Sequence, residues 1–458
     1  MWVKFAKWLE EHQQKLISDL QGCVQIPSVY AEDDSGYPSG QKVQDCLDYM
    51  LKLAESMGFE TCNMDNQLGW CEYGQGDEMV GVLCHLDVVP EGDGWDMPPY
   101  SGFVADGKVF GRGTMDDKGP AVAALYALAA LKQSGVPIKR RIRLLFGLNE
   151  ETGSADMKYY IQHGGEVPVM GITPDGEYPL INGEKGLVTE FFARNWRQEG
   201  EIQVIEMQGG AAHNIVPDKA YVLLRCSEKW AKEIAAMEAE KITCLCTADG
   251  VRIDAAGINA HGGTPHEGEN AIGRLMQFLN RLPLKGDFAQ VVSMLAEKIG
   301  MEWDGTNLKT AMEDELSGPF TMNLGVVQAD ADRIEVKTNY RYPVTRSFEE
   351  CGPVIQEIFR NAGFETTHFL HKAALYMPPE SELVRKLLKV YSDYTGDHSA
   401  PKCIGGGTYA KMIPNTLAFG PIFPGDEVRE HKPNEFIEIG RLMDNAKILA
   451  NAMYELAN

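Results

Sequence analysis

Residues 79–88 read Met-Val-Gly-Val-Leu-Cys-His-Leu-Asp-Val, and residues 141–148 read Arg-Ile-Arg-Leu-Leu-Phe-Gly-Leu. Both are nearly unbroken apolar runs, the pattern of strands covered on both faces rather than one. Between them, Gly119–Gln133 is rich in alanine and leucine and opens on Gly119-Pro120, a helix-start signal. Val169–Thr173 supplies a third, shorter strand. Strand, helix and strand at this rhythm predict an α/β fold, with a mostly parallel sheet and helices on both of its faces. Past Gly183 the rhythm changes. Half-buried strands (Glu201–Met207, Lys219–Arg225, Arg333–Tyr340) and helices (Glu228–Glu240, Asn270–Leu279) suggest an inserted α+β domain. From about Tyr376 a helix (Ser381–Tyr394), an apolar strand (Thr416–Phe419) and a terminal helix (Glu435–Tyr454) would complete the first sheet. The expected division is 1–184 and 375–458 for the first domain and 185–374 for the insertion.

At 458 residues the chain is too long for one compact domain. Its 44% apolar and 24% charged residues are ordinary for a globular protein. A formal charge of −23 repels a phosphate backbone, and no basic stripe is visible, so a nucleic-acid partner is excluded. The longest apolar run, Ala121–Leu131, is too short to cross a bilayer, and an anionic membrane face is an unfavourable partner. At the N-terminus, Trp2, Phe5, Trp8, Leu9 and Leu16 fall at helical spacing, an amphipathic helix rather than a signal peptide. A cytoplasmic location follows as the expectation. The ten cysteines form no CxxC pair and read as buried thiols.

The chemistry-bearing residues cluster at strand ends. His85 and Asp87 close the first buried strand. Asp116 and Asp117 follow the turn Gly111-Arg-Gly113 and precede a helix. Glu150 and Glu151 come directly after the second strand, and Asp175 directly after the third. In an open α/β sheet, ligands bind beyond the carboxyl ends of the strands. Each motif alone has an ordinary explanation: a solvated loop, a helix N-cap, a first helical turn, a tight turn. Together they send acids from four segments to one edge, and such acids share a dry cleft only if a cation offsets their repulsion. Imidazole with carboxylates suits zinc, and also manganese or cobalt, better than calcium. His85 and Asp87 share a strand face, so Asp87 could accept the second ring N–H of His85. Of the adjacent Glu150 and Glu151, one could bind metal and the other move a proton.

These segments, His85-Leu-Asp87-Val-Val-Pro90, GRGTMDDKGP (111–120), Asn149-Glu-Glu-Thr-Gly-Ser154 and Thr173-Pro-Asp175, resemble those of the PepV-like dipeptidases. These are bacterial members of the di-zinc aminoacylase, carboxypeptidase and carnosinase family. The resemblance continues through Gly183-Glu-Lys-Gly186, Asn214-Ile-Val-Pro217, Ala260-His261-Gly262, Asn339-Tyr-Arg341-Tyr-Pro343, GGGTYAK (405–411) and FGPIFPG (419–425) to His431. It covers nearly the whole chain.

The resemblance implies two divalent metal ions bridged by Asp116. His85 and Asp175 would complete one site, and Glu151 and His431 the other. It implies Glu150 as general base and Asp87 as the residue orienting His85. It also implies a cis peptide after Asp116, and the insertion as a lid. In that lid His261 would polarise the scissile carbonyl. Arg341 and Asn214, with backbone N–H groups around Gly406, would hold the free carboxylate of the substrate. The implied activity is hydrolysis of short peptides, dipeptides foremost, by a monomer. The alternatives are an N-acyl amino acid or β-alanyl dipeptide amidohydrolase of the same family, or a metal-binding protein without catalysis.

Overall fold

The computed structural model describes residues 2–458, with side chains from residue 5 onward, so the Trp2 side chain lies outside the described residues. Two compact units divide the chain. One runs to Asn182 and resumes over Met377–Lys402 and Thr408–Asn458. The other comprises Gly183–Tyr376 and Cys403–Gly407.

In the first unit, the strand Met79–His85 is buried at every residue, as a run without polar alternation requires. It lies between Arg141–Gly147 and Met170–Thr173, parallel to both, and Thr416–Ala418 extends the parallel set. In this sheet the four central strands run parallel, and Pro421–Ile422 pairs parallel with Gly176–Glu177 in a separate small ladder. Leu68–Tyr73 and Glu60–Met64 add one margin antiparallel, and Ile181–Glu184 pairs antiparallel with Thr416–Ala418 on the other side. The first margin is antiparallel because Glu60–Met64 and Leu68–Tyr73 are joined by a short turn, with Asp65 and Asn66 in left-handed backbone. So short a link makes a hairpin and cannot make a crossover.

The helix Lys118–Ser134 is buried continuously from Lys118 to Leu131. It packs on the strand Met79–His85 and on the terminal helix Ile439–Leu456, and being enclosed by neighbours explains its alanine-rich, non-amphipathic sequence. Two ends differ from the sequence reading. The N-terminal stretch forms two helices, Trp2–Glu11 and Gln13–Val24, whose Phe5, Leu9 and Leu16 are buried. The terminal helix does not start at Glu435. A short strand, Phe436–Glu438, pairs first with Lys108–Phe110, and the helix begins at Ile439.

The second unit holds an eight-stranded sheet in the order Ile242–Cys246, Gly250–Ala256, Lys219–Arg225, Gln203–Gly209, Thr321–Ala329, Arg333–Tyr342, Gly186–Asn195 and Glu365–Lys372, antiparallel throughout. The helices Ala271–Leu279 and Gly286–Lys298 contribute to a core drawn wholly from this unit, from Val188 to Phe364. All ten cysteines are free thiols; five are buried and Cys246 is exposed. No described helix is long and apolar enough to cross a membrane.

The turn before the buried helix depends on small residues. A Cβ on Gly119 would stand 2.0 Å from the Thr114 carbonyl oxygen, whereas a Cβ on Gly440, in the first turn of the terminal helix, would meet nothing within 4 Å. Gly119→Ala should therefore destabilise the protein by about 1–3 kcal/mol, as overpacked sites do. Gly440→Ala should be neutral or stabilise it by up to about 1 kcal/mol. Thermal denaturation of the two variants checks the contrast; equal midpoints would contradict it.

Candidate functional site

Four segments of the first unit end at one place. His85 is the last residue of its strand, Glu150 and Glu151 follow Arg141–Gly147, and Asp175 follows Met170–Thr173. Asp116 lies in the turn before the buried helix, and His431 in the loop before Phe436–Glu438. The His85 ring nitrogen Nε2 is 2.8 Å from Asp116 Oδ1 and 3.9 Å from Asp175 Oδ2. His431 Nε2 is 2.9 Å from the other Asp116 oxygen, Oδ2, and 3.0 Å from Glu151 Oε1. Two donor sets result, His85–Asp116–Asp175 and Asp116–Glu151–His431, each with its donor atoms within 4.8 Å of one another. Asp116 belongs to both and gives one oxygen to each.

The charges explain what this arrangement can hold. Burial opposes ionisation of Asp116, but hydrogen bonds with His431 and His85 outweigh it and keep its carboxyl well below the ordinary range. Burial likewise disfavours charge on His431, yet Asp116 and Glu151 push it up to about 11. Glu151 rises to about 7 through burial and the Asp116 charge, and Asp175 rises for the same two reasons. The His85 ring also has a forced tautomer. Its Nδ1 is 2.9 Å from the Asp87 carbonyl oxygen, which can only accept, so Nδ1 carries a proton. Nε2 then faces a carboxylate, which requires either a second ring proton or a cation between them. Neutral imidazole and paired carboxylates converging in this way fit a divalent cation at each set.

The residue implied to orient His85 does more than that. The Asp87 carbonyl is the nearer acceptor for the ring, and the carboxylate oxygen Oδ1 lies 3.5 Å from Nδ1. The carboxylate itself accepts the N–H of Glu150 at 3.1 Å through Oδ1 and that of Glu151 at 3.1 Å through Oδ2. Glu150 is close enough for its charge to raise Asp175 and Asp117. The Asp116–Asp117 peptide is cis. Asp117, beyond it, accepts the backbone N–H of His85 at 3.0 Å.

The second unit gathers the remaining candidates into a cluster of its own. Ile215–Val216 pairs with Ala260–His261, and the Gly262 N–H bonds the Asn214 carbonyl at 2.7 Å. Arg341 Nη2 is 3.2 Å from His261 Nε2, and Nη1 donates to the Gly405 carbonyl at 2.6 Å. So the segment around Gly406 meets Arg341 through a carbonyl, where backbone N–H groups were expected to share its task. The Asn214 and His261 side chains are exposed, while Arg341 is 3% exposed. Burial alone lowers its guanidinium to about 10. Among the described residues no carboxylate lies within ion-pair distance of it.

Several contributors were not singled out from the sequence. Glu430, beside His431, is pushed up to about 8 by burial and by the Asp116 charge. Asp156 accepts the N–H groups of Leu148 and Asn149, just ahead of Glu150, and the Tyr409 hydroxyl. Glu435 accepts from the Asp116 turn. Only spacing to a known ligand, such as the four residues from His431 to Glu435, could have flagged them.

Because Asp116 serves both donor sets and Asp175 only one, substitutions there should differ in stoichiometry. Asp175→Asn should keep about half of the bound divalent metal, and Asp116→Asn should lose nearly all of it. Elemental analysis of the purified variants checks this; equal losses would contradict a shared carboxylate.

The profile of peptidase family M20/M25/M40 matches residues 81–455. A protein of Bacillus subtilis (strain 168) named "Putative dipeptidase YtjP" is 34% identical over 457 residues, covering 97% of this chain and 98% of its own. A Staphylococcus saprophyticus relative with the same kind of name is 32% identical over 463 residues, covering 98% of each chain. Among solved structures, the dipeptidase Dug1p of Saccharomyces cerevisiae superposes with a TM-score of 0.61 at 15% identity, covering 100% of this chain and 98% of that one. Human carnosine dipeptidase 1 gives 0.57 at 15%, covering 100% of both. A full-length match to the first two relatives and a profile match across both units place the chain in peptidase family M20/M25/M40, as a metallopeptidase hydrolase.

Proposed function

We propose that the chain is a cytoplasmic dipeptidase cleaving short peptides that carry a free C-terminal carboxylate. It would use two divalent cations, zinc foremost and manganese or cobalt as alternatives. His85, Asp116 and Asp175 would hold one, and Asp116, Glu151 and His431 the other. The observation that carries the substrate class is Arg341. A buried guanidinium whose three nitrogens meet only the Asn339 amide, the Gly405 carbonyl and the His261 ring, with no counter-anion among the described residues, is costly unless an anion completes it. A planar fork of donors matches a carboxylate in two places at once.

Bound cations supply electrophilic polarisation of the scissile carbonyl and make a nearby water more acidic. Glu150, held by its backbone N–H on Asp87, takes the proton from that water as its oxygen attacks the carbonyl carbon. The same carboxyl then passes the proton to the departing amine as the C–N bond breaks, leaving two products with free termini. Asp87 fixes the turn on which base and ligand sit side by side. His261 stabilises charge on the carbonyl oxygen, and Arg341 with Asn214 and the Gly406 segment anchors the carboxylate. The second unit acts as a lid carrying these groups.

N-acyl amino acids also present an α-carboxylate, so Arg341 would serve that class too, and β-alanyl dipeptides likewise. A panel of unblocked dipeptides, β-alanyl dipeptides and N-acetyl amino acids separates the readings. Unblocked dipeptides should have the highest kcat/KM, and faster turnover of the acylated compounds would overturn the assignment.

Two variants test the residues. Glu150→Ala should retain bound metal while kcat falls by about 10²–10⁴-fold, the usual contribution of a positioned proton carrier. Near-normal rates would remove Glu150 from the role. Arg341→Met should lower kcat/KM for dipeptides by about 30-fold or more, with no loss of thermal stability. Dipeptide amides should be poor substrates of the parent protein and insensitive to the substitution. An equal effect on acids and amides would refute carboxylate binding by Arg341.

A further inference from the structure

The turn that presents Asp116 is held by a carboxylate from the far end of the chain. Glu435 is fully buried. Its Oε1 accepts three backbone N–H groups, from Gly113 at 3.0 Å, Met115 at 2.9 Å and Asp116 itself at 3.3 Å. Its own carbonyl accepts the Gly111 N–H at 2.9 Å. Its Oε2 takes 2.7 Å from Arg112 Nη1, and Arg112 is 1% exposed. Through its two terminal nitrogens Arg112 also donates to the Pro90 and Glu91 carbonyls, at 3.4 and 3.2 Å, and to the Lys432 carbonyl at 3.3 Å. One ion pair thus ties together the segment after Asp87, the turn carrying Asp116, and the segment running from His431.

A helix-end role does not account for Glu435, because a strand follows it and the helix starts only at Ile439. Nor is a further acid a favourable choice beside Asp116, whose charge repels it, and Glu430, which it repels in turn. A carboxylate repays that repulsion where one oxygen must collect several N–H groups and the other must meet a guanidinium. The loop it anchors also needs anchoring. His431 and Asn434 both take left-handed backbone, at φ 59° each, an uncommon conformation for residues other than glycine.

We infer that Glu435, clasped by Arg112, is a positioning residue for both donor sets. By gripping the Asp116 turn four residues after His431, it fixes the separation between the shared carboxylate and the imidazole of one set. This deepens the proposed reading of the site and rests on it. Groups that hold metal ligands in place commonly change metal affinity by about 10–100-fold when altered.

The test is zinc affinity, measured by competition with a chromophoric chelator on full-length protein, alongside the melting temperature of the metal-free protein. The set comprises the parent, Glu435→Gln, Glu435→Ala, Arg112→Met, the double variant Glu435→Gln/Arg112→Met, and Asp116→Asn as control. Glu435→Gln keeps an acceptor for the three N–H groups but loses the ion pair, so it reports even if Glu435→Ala fails to fold. Zinc should bind Glu435→Gln about 10-fold or more weakly. The double variant should be no weaker than the poorer single one, since the pair acts as one clasp. Parent-like zinc affinity in Glu435→Gln, with a lowered metal-free melting temperature, would overturn the inference and leave a merely structural ion pair. If Asp116→Asn also matched the parent, the reading of the site itself would fall, and the inference with it.

Discussion

The constraint that organises the first unit is the repulsion among its buried acids. Burial and the Asp116 charge raise Glu151, Asp175, Glu430 and Glu435, while Asp116 itself is held low by two imidazoles. A cluster of this kind is stable only with positive charge placed between its members. The fold supplies places for it. Parallel strands end together, the Asp116 turn crosses between them, and a loop from the C-terminal segment closes the second donor set. The backbone around the cluster is then fixed by a further tier of acids. Asp87 takes the N–H groups of the Glu150-Glu151 turn, Asp117 that of His85, Asp156 those ahead of Glu150, and Glu435 those of the Asp116 turn.

The second unit solves a complementary problem. Its sheet carries Arg341 on a strand, where the guanidinium is buried with carbonyl and imidazole partners and no acid. Removing water from a cation without supplying an anion lowers its stability in the charged form, as the depressed guanidinium shows. The first unit therefore holds an excess of anions that calls for cations, and the second, taken by itself, holds a buried cation without an acid beside it among the described residues.

Much of this was legible in the sequence because it depends on local order. Continuous apolar runs identify Met79–His85 and Arg141–Gly147 as interior strands, and the residue after a parallel strand has only one edge to occupy. His85, the Glu150-Glu151 pair and Asp175 could be placed by that rule, and Asp116 by the glycine turn ahead of a helix. The bridging role of Asp116 and the whole of His431 needed the resemblance, because a loop far along the chain carries no such rule. Less was legible where partners lie far apart. Glu435 reads as the first turn of a helix, yet its partners sit more than 300 positions away and a strand intervenes. The Asp87 carboxylate was expected on the His85 ring, yet its nearest donors are two amides 63 and 64 residues on. The antiparallel margin of Glu60–Met64 and Leu68–Tyr73 escaped notice because a short turn at Asp65-Asn66, outside the strand–helix rhythm, joins its strands.

Loading the metal-free protein with two equivalents of manganese(II) and recording its electron paramagnetic resonance spectrum tests the central claim most directly. Two ions joined through one carboxylate sit close enough to couple their spins. The account predicts a coupled-pair spectrum that reverts to isolated-ion signals in Asp116→Asn. Two full equivalents bound to the parent protein with only isolated-ion signals would contradict it.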